Sequence, residues 1–220
     1  GEAEAILDRL RRHAQALGLP VRTVEIEMGP SQFEFTFEHA DPLTQADAMV
    51  MIRTMVKEVC AAQGLHASFM PKPRQDHAMA NGWHIHQSLT VPTSSRNLFM
   101  PETAETLTPE ASGWMAGLLT HAEAMSVLVA PTVNSYKRYL PFQLAPNRVQ
   151  WGRDNRGAML RALMRPGDQG SRVENRAPDS SANPYFALAA QIIAGSEGIA
   201  AGRQAPAPTV SPYSDDAQKL

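Results

Sequence analysis

Two histidines, His84 and His86, stand two apart in "MANGWHIHQSL", behind an Asn-Gly pair. Side chains alternate along a strand, so both would point the same way while Ile85 turns into a core. Such a pair can ligate a metal or contact a phosphate, but alone it is weak evidence, and a surface pair is the commoner outcome. Two carboxylates, Glu27 and Glu34, flank the turn "MGPSQF". Their odd spacing puts them on opposite faces of a straight strand, yet the Gly-Pro turn can return them to one side. Facing one point they would repel unless a cation or proton sat between them. Taken singly, each reads as a solvated surface residue. Farther along, Arg138, Arg156, Arg161, Arg172 and Arg176 each stand in or beside an apolar, strand-like run. Arginine grips carboxylates and phosphates with a bidentate fork, which points to anionic substrates; surface ion pairs are the plain alternative. Glu174 lies between Arg172 and Arg176 on the same alternating face, as an ion-pair partner or a metal ligand.

These residues need elements to hold them. In "EAILDRLRRHAQALGL" apolar residues recur at helical spacing until Gly18-Leu19-Pro20 stops the run. "VRTVEIEM" and "QFEFTFEH" alternate as strands around "GPS", the second with Phe33, Phe35 and Phe37 on one face. Asp41-Pro42 opens a helix expected to run from about Leu43 to Gly64, and Thr108-Pro109-Glu110 another, to about Val129. "HASFMPKP", "GWHIHQSLTV", "RVQWG", "AMLRALM" and "SRVENR" read as strands. "ANPYFALAAQIIAGSEGIA" reads as a small-residue helix opened by Asn183-Pro184. Helices interleaved with antiparallel-looking strand pairs argue for an α+β fold. Glu27, Glu34, His84 and Glu174 are expected on one concave sheet face. The proline-rich tail 204–220 is expected to be loose.

Composition removes several function classes. The 220 residues suffice for one well-buried core or two small ones, and 43% hydrophobic with 19% charged content is that of a globular chain. With a net charge of −2 and no block of like charge, no nucleic-acid footprint is visible. The single Cys60 excludes a disulfide framework and reads as a buried thiol in a reducing, cytoplasmic setting. No apolar run approaches membrane-spanning length, and no signal peptide opens the chain. Phosphate-cradling Gly-rich loops and the Gly-x-Ser-x-Gly elbow are missing, which removes support for the usual nucleotide, dinucleotide and serine-hydrolase readings. The chain starts without Met and already inside a helical pattern, so it reads as a fragment.

The ordered stretches "EMGPSQFEF", "SFMPKP", "GWHIHQSL", "APTVNSYKRYLP", "WGRDNRGAMLR" and "RVENRAPDSSANPYFALAAQIIAG" together resemble the catalytic domain of the glutamine synthetase family. The resemblance implies a curved, mostly antiparallel sheet with flanking helices, partial here over 1–203, with the family's upstream β-grasp domain absent. It implies an ATP-dependent ligase that phosphorylates the side-chain carboxylate of glutamate, or a similar acid, and lets an amine displace the phosphate. By the same resemblance Glu27 and Glu34 match ligands of one divalent ion, Mg or Mn, and His84 and Glu174 ligands of a second. His86 and Ser88 match nucleotide contacts, and Arg172 lies beside the nucleotide. Arg138 matches the clamp on the glutamate α-carboxylate. Arg156, Arg161 and Arg176 match the arginines that hold phosphate oxygens and the γ-carboxyl group. A homo-oligomer with active sites between subunits is implied, so this chain alone is expected to be inactive.

Departures from the family pattern bear on the amine. The glutamate-contacting Asn-Gly aligns here with Met79-Ala80, and the family's "Pro-Gly-x-Glu-Ala-Pro" loop appears as "PFQLAP". Its acidic residue, which attracts ammonium and takes a proton, is Leu144. The neighbouring Gln143 can hydrogen-bond but cannot accept a proton. An amine other than ammonium is therefore expected, with an ordinary glutamine synthetase, or a non-catalytic family-derived protein that binds nucleotide or serves as an oligomer subunit, as the alternatives.

Overall fold

The computed structural model describes residues 2–141, 144–213 and 217–220. The chain divides into two compact units, 1–80 and 81–220. In the first, helix α1 (Glu2–Ala16) precedes a hairpin of strands β1 (Val21–Ile26) and β2 (Phe33–Phe37), and helix α2 (Pro42–Ala61) follows. Asp41 caps α2, its Oδ1 accepting from the Leu43 and Thr44 N–H groups at 3.0 Å, with Pro42 at the first helical position. The helix ends three residues short of the expected Gly64, which instead turns the chain at φ +72°. Leu10, Ala14, Ile52, Met55, Val56 and Cys60 form this unit's core, against which Phe35 and Phe37 pack.

The hairpin register pairs Val24 with Phe35, Glu25 with Glu34 and Ile26 with Phe33, while the Glu27 N–H donates to the Gln32 carbonyl at 3.0 Å. Cross-strand partners share a face, and the side-chain period is two. One face is thus Val24, Phe35, Ile26 and Phe33; the other is Glu25, Glu34, Glu27 and Gln32. The expected strand around "HASFMPKP" does not form: Pro71 and Pro73 have no N–H for a ladder, and 66–73 runs as irregular chain.

In the second unit strands β3 (Ile85–Gln87), β4 (Trp151–Arg153), β5 (Leu160–Leu163) and β6 (Arg172–Asn175) form one sheet in the order β3-β6-β5-β4. β6 is antiparallel to both neighbours, whereas β4 and β5 run parallel. The sheet is mixed rather than built only of antiparallel pairs. Its core face carries Ile85, Gln87, Leu160, Ala162, Val173 and Asn175. Helices α3 (Pro109–Thr120), α4 (Ala122–Val129) and α5 (Pro184–Ala200) complete the unit. The single helix expected over 109–129 breaks at His121, the shared cap of α3 and α4.

α3 and α5 cross at glycine. A methyl on Gly195 would run into the Trp114 ring, one on Gly117 into the Ala194 carbonyl, and one on Gly198 into the Gly113 carbonyl. Close approach lets Trp114 and Gln191 reach the floor of the sheet. There Gln191 Oε1 accepts from Gln87 Nε2 at 3.0 Å and Asn175 Nδ2 at 2.9 Å, while Trp114 Nε1 donates to Gln87 Oε1 at 2.9 Å. Each of these buried polar groups is thereby satisfied.

The tail, expected to be loose, is tied along this unit. The Ala205 N–H donates to Ser112 Oγ, the Thr209 N–H to the Trp151 carbonyl, the Val149 N–H to the Gln218 carbonyl and Trp151 Nε1 to the Pro206 carbonyl. Leu220 and Ala205 pack on the core, so apolar burial and backbone pairing offset the low-complexity composition. Among the described residues no helix is long and apolar enough to cross a membrane.

Candidate functional site

The strand register builds a polar row on the sheet face opposite the core. His86 on β3 pairs with Glu174 on β6, and Glu174 pairs with Arg161 on β5. Since neighbours two residues away share a face, His84 and Ser88 flank His86, and Arg172 and Arg176 flank Glu174. Seven of the eleven residues singled out in the sequence thus occupy one face of three strands.

Glu174 is the hub, its side chain 2% exposed. Its Oε1 lies 3.2 Å from His84 Nδ1, 4.0 Å from His86 Nε2 and 2.5 Å from Arg176 Nη1, and its Oε2 accepts from Arg161 Nη1 at 3.1 Å. Burial alone would raise its pKa, but the His84 hydrogen bond and the Arg176 charge outweigh it and hold the carboxyl well below the usual range. Burial pushes the His84 pKa down. It does the same to His86, helped by the Arg172 charge and opposed by Glu174, bringing it to about 4. At neutral pH both rings are therefore uncharged, and His86 Nδ1 accepts from Arg172 Nε at 2.9 Å.

Arg138 enters from the 3-10 turn Ser135–Arg138 and is 2% exposed. Its Nη1 donates to the Ala177 carbonyl at 2.9 Å, and its guanidinium stands 5.7 Å from the Tyr139 ring centre. Gly82 makes room for this approach: a Cβ there would stand 2.6 Å from His84 Nε2 and 3.0 Å from Arg138 Nη2. The Nε atoms of Arg138 and Arg176 are buried and have no hydrogen-bond partner among the described residues, so both retain donor capacity for an anion. Four guanidinium groups (138, 161, 172, 176) against the carboxylates of Glu174, Asp154 and Asp179 leave the cluster net positive, which favours binding of an anion.

Two sequence expectations fall outside this row. Arg156 is exposed in the β4–β5 turn, and no ion pair joins it to another described residue. Glu27 and Glu34 belong to the hairpin of the first unit, not to the sheet of His84 and Glu174. The expected single sheet face is therefore two faces in two sheets, because the hairpin closes on itself without joining the other strands. The hairpin nevertheless brings Glu27 and Glu34 to one side, as the Gly-Pro turn implies, and adds Glu25 beside them. The sequence reading missed Glu25, although the pattern Glu-x-Glu before the turn announces it. It also missed Asp154 and the Gln191 network; a lone amide in the apolar run "ALAAQIIAG" is the available signal for the latter.

The donor set suits a divalent cation. In the tautomer that carries its proton on Nε2, His84 Nδ1 would offer a lone pair in place of its hydrogen bond, and it stands 3.2 Å from one oxygen of the ionised carboxylate, near the separation of adjacent ligands on an octahedral ion about 2.1 Å from each. His84 and Glu174 fit such an ion, although no three His, Cys, Asp or Glu side chains converge as a metal cage among the described residues.

The family described as "Glutamine synthetase, catalytic domain" matches residues 1–219. The chain belongs to the glutamine synthetase family. A γ-glutamylanilide synthase of Acinetobacter sp. is 39% identical over 213 residues, which cover 96% of this chain and 43% of that protein. A glutamine synthetase of Pyrococcus abyssi is 39% identical over 198 residues, 90% of this chain and 44% of that protein. Among solved structures, a GmaS/ADP complex superposes with a TM-score of 0.86 at 33% identity, over 98% of this chain and 51% of that one. The chain thus spans about half the length of these family members or less. Leu144 sits at the edge of the arginine cluster, its carbonyl accepting from Arg176 Nη2 at 3.0 Å and its side chain 43% exposed. Phe142 and Gln143 of the same loop lie outside the described residues.

Proposed function

We propose that the complete protein is an ATP-dependent ligase that joins the side-chain carboxylate of glutamate, or a similar acid, to an amine other than ammonium. The supporting observation is the cationic row around Glu174 with an apolar residue, Leu144, hydrogen-bonded through its backbone to the row's Arg176. In the proposed reaction a carboxylate oxygen bonds the γ-phosphorus of ATP as the bond to ADP breaks. The unprotonated amine nitrogen then attacks the carbonyl carbon, phosphate leaves with the C–O bond electrons, and the nitrogen's proton passes to solvent. Two anions must meet in the first step, so Arg161, Arg172 and Arg176 serve as phosphate clamps and Arg138 as the holder of the acid's α-carboxylate. Arg156 is assigned to phosphate by family resemblance, and His86 and Ser88 to the nucleotide on the same basis. Divalent ions, Mg or Mn, held by Glu27 and Glu34 and by His84 and Glu174, would supply further charge neutralisation for the phosphates.

The identity levels do not separate amine classes, since the anilide synthase and the glutamine synthetase are equally similar. Position 144 does. A carboxylate there would hold ammonium and take its proton; leucine can do neither and offers an alkyl or aryl group about 25 cal/mol per Å² of apolar surface removed from water. The test compares kcat/KM for ammonium and a series of primary alkyl and aryl amines on the complete protein, expected to assemble as a homo-oligomer. An organic amine should be preferred, and Leu144→Glu should shift preference toward ammonium. Ammonium as the best nucleophile would make the protein an ordinary glutamine synthetase. Failure to bind MgATP by titration calorimetry would leave a non-catalytic subunit.

A further inference from the structure

Arg161 does not face Glu174 alone. Its Nε donates to Asp154 Oδ1 at 2.8 Å, its Nη2 donates to the same oxygen, and only Nη1 is left for Glu174 Oε2 at 3.1 Å. The guanidinium is 16% exposed and spans the two carboxylates, one 56% exposed and one buried. Asp154 reaches it from the turn after β4 with a backbone φ of +46°, a left-handed conformation that Asp tolerates better than most residues. Its N–H is fixed to the Ala162 carbonyl at 3.0 Å, one residue beyond Arg161. The turn thus binds the strand that carries the arginine twice, through backbone and side chain.

A guanidinium beside a carboxylate favours the side-on fork with two parallel N–H···O bonds. Closed on Glu174, that fork would occupy both oxygens. By holding the Nε and Nη2 edge of Arg161, Asp154 restricts the contact to Oε2 and leaves Oε1 to His84 and Arg176. We infer that Asp154 is a positioning residue: it orients Arg161 toward the phosphate site and keeps Arg161 off Glu174 Oε1. The functional half of this inference rests on the proposed ligase reading; the geometric half does not.

The perturbation is Asp154→Gly, which removes the side chain while the positive φ suits glycine; Asp154→Asn keeps an acceptor oxygen and the same backbone tolerance. In the 220-residue chain with 15N-labelled arginine, the Arg161 Nε–H should exchange slowly with solvent, become fast in Asp154→Gly, and be largely restored in Asp154→Asn. Equal protection in wild type and Asp154→Gly would overturn the inference. In the complete protein, Asp154→Gly should lower kcat/KM for ATP about tenfold, and that loss should vanish in the Arg161→Lys background, since residues acting through one contact are not additive. Additive losses would remove the functional half. If no acid and amine are joined at all, the ligase reading fails while the exchange measurement still decides what Asp154 does. Tryptophan-monitored unfolding of Asp154→Gly separates either result from a loss of fold.

Discussion

Replacing Gly117 by alanine tests whether the site's floor depends on the α3–α5 crossing. In most helices this change stabilises by about 1 kcal/mol, because alanine is the better helix former. Here the added methyl would overlap the Ala194 carbonyl oxygen and stand 2.9 Å from its carbon and 3.0 Å from the Gly198 nitrogen. All three are backbone atoms, so none can swing aside as a side chain would, and the helices must part. Overpacking costs about 1–3 kcal/mol, and an immovable neighbour puts this case at the top of that range. Set against the propensity gain, about 2 kcal/mol of net destabilisation remains. For a chain of this size that lowers Tm by roughly 4–8 °C. Tryptophan fluorescence is the assay, because Trp83, Trp114 and Trp151 all lie in the second unit. Ala189→Gly on the exposed side of α5 is the control: it should lose only the propensity difference, about 1 kcal/mol. A Gly117→Ala protein that melts at or above wild type would refute the packing argument.

Two further outcomes follow from the same unit. Gln191→Leu would strand the amide donors of half-buried Gln87 and buried Asn175 at about 1–3 kcal/mol each, so urea unfolding should show a loss of roughly 2–6 kcal/mol, toward the lower end because Gln87 still meets solvent; a change below about 1 kcal/mol would mean that other partners take over. Glu197 is held down at about 2, first by hydrogen bonds from Arg203 and then by His121. Its folded pKa lies below the unfolded value of about 4.3, so the stabilisation is complete above about pH 4.3 and is lost as pH falls toward about 2. Glu197→Gln should flatten the dependence of the urea midpoint on pH across that window, and an unaltered slope would count against the cluster.

What could be read in advance was whatever a local period writes. His84, His86 and Ser88, like Arg172, Glu174 and Arg176, follow the two-residue alternation of a strand, so their common facing was visible before any pairing was known. The family pattern, carried by six ordered stretches, located Arg138, which no periodicity links to them. Pairing itself was less legible. β4 and β5 are joined by only 154–159 and yet run parallel, where so short a link argues for a hairpin. The left-handed Asp154 and the short turn behind it achieve this, and neither follows from propensity. The tail misled for a related reason: its proline-rich composition predicts no core of its own, but it borrows the core of the unit on which it lies.

The same distinction orders the site. Facing is a local property, but occupancy of each Glu174 oxygen depends on residues from three strands and a turn. Arg161 and Glu174 could be nominated from sequence, whereas which oxygen meets which nitrogen is decided by Asp154, a residue inside the stretch "WGRDNRGAMLR" to which the resemblance assigned no role. A carboxylate surrounded by guanidinium groups has more donors than lone-pair directions, so one arrangement prevails only if some donors are engaged elsewhere. Asp154 engages two of Arg161's, the Leu144 carbonyl one of Arg176's, and His86 one of Arg172's. The residues around the row thus divide the donors of its arginines. Substituting these flanking partners would redistribute the contacts on Glu174 even with every nominated site residue intact.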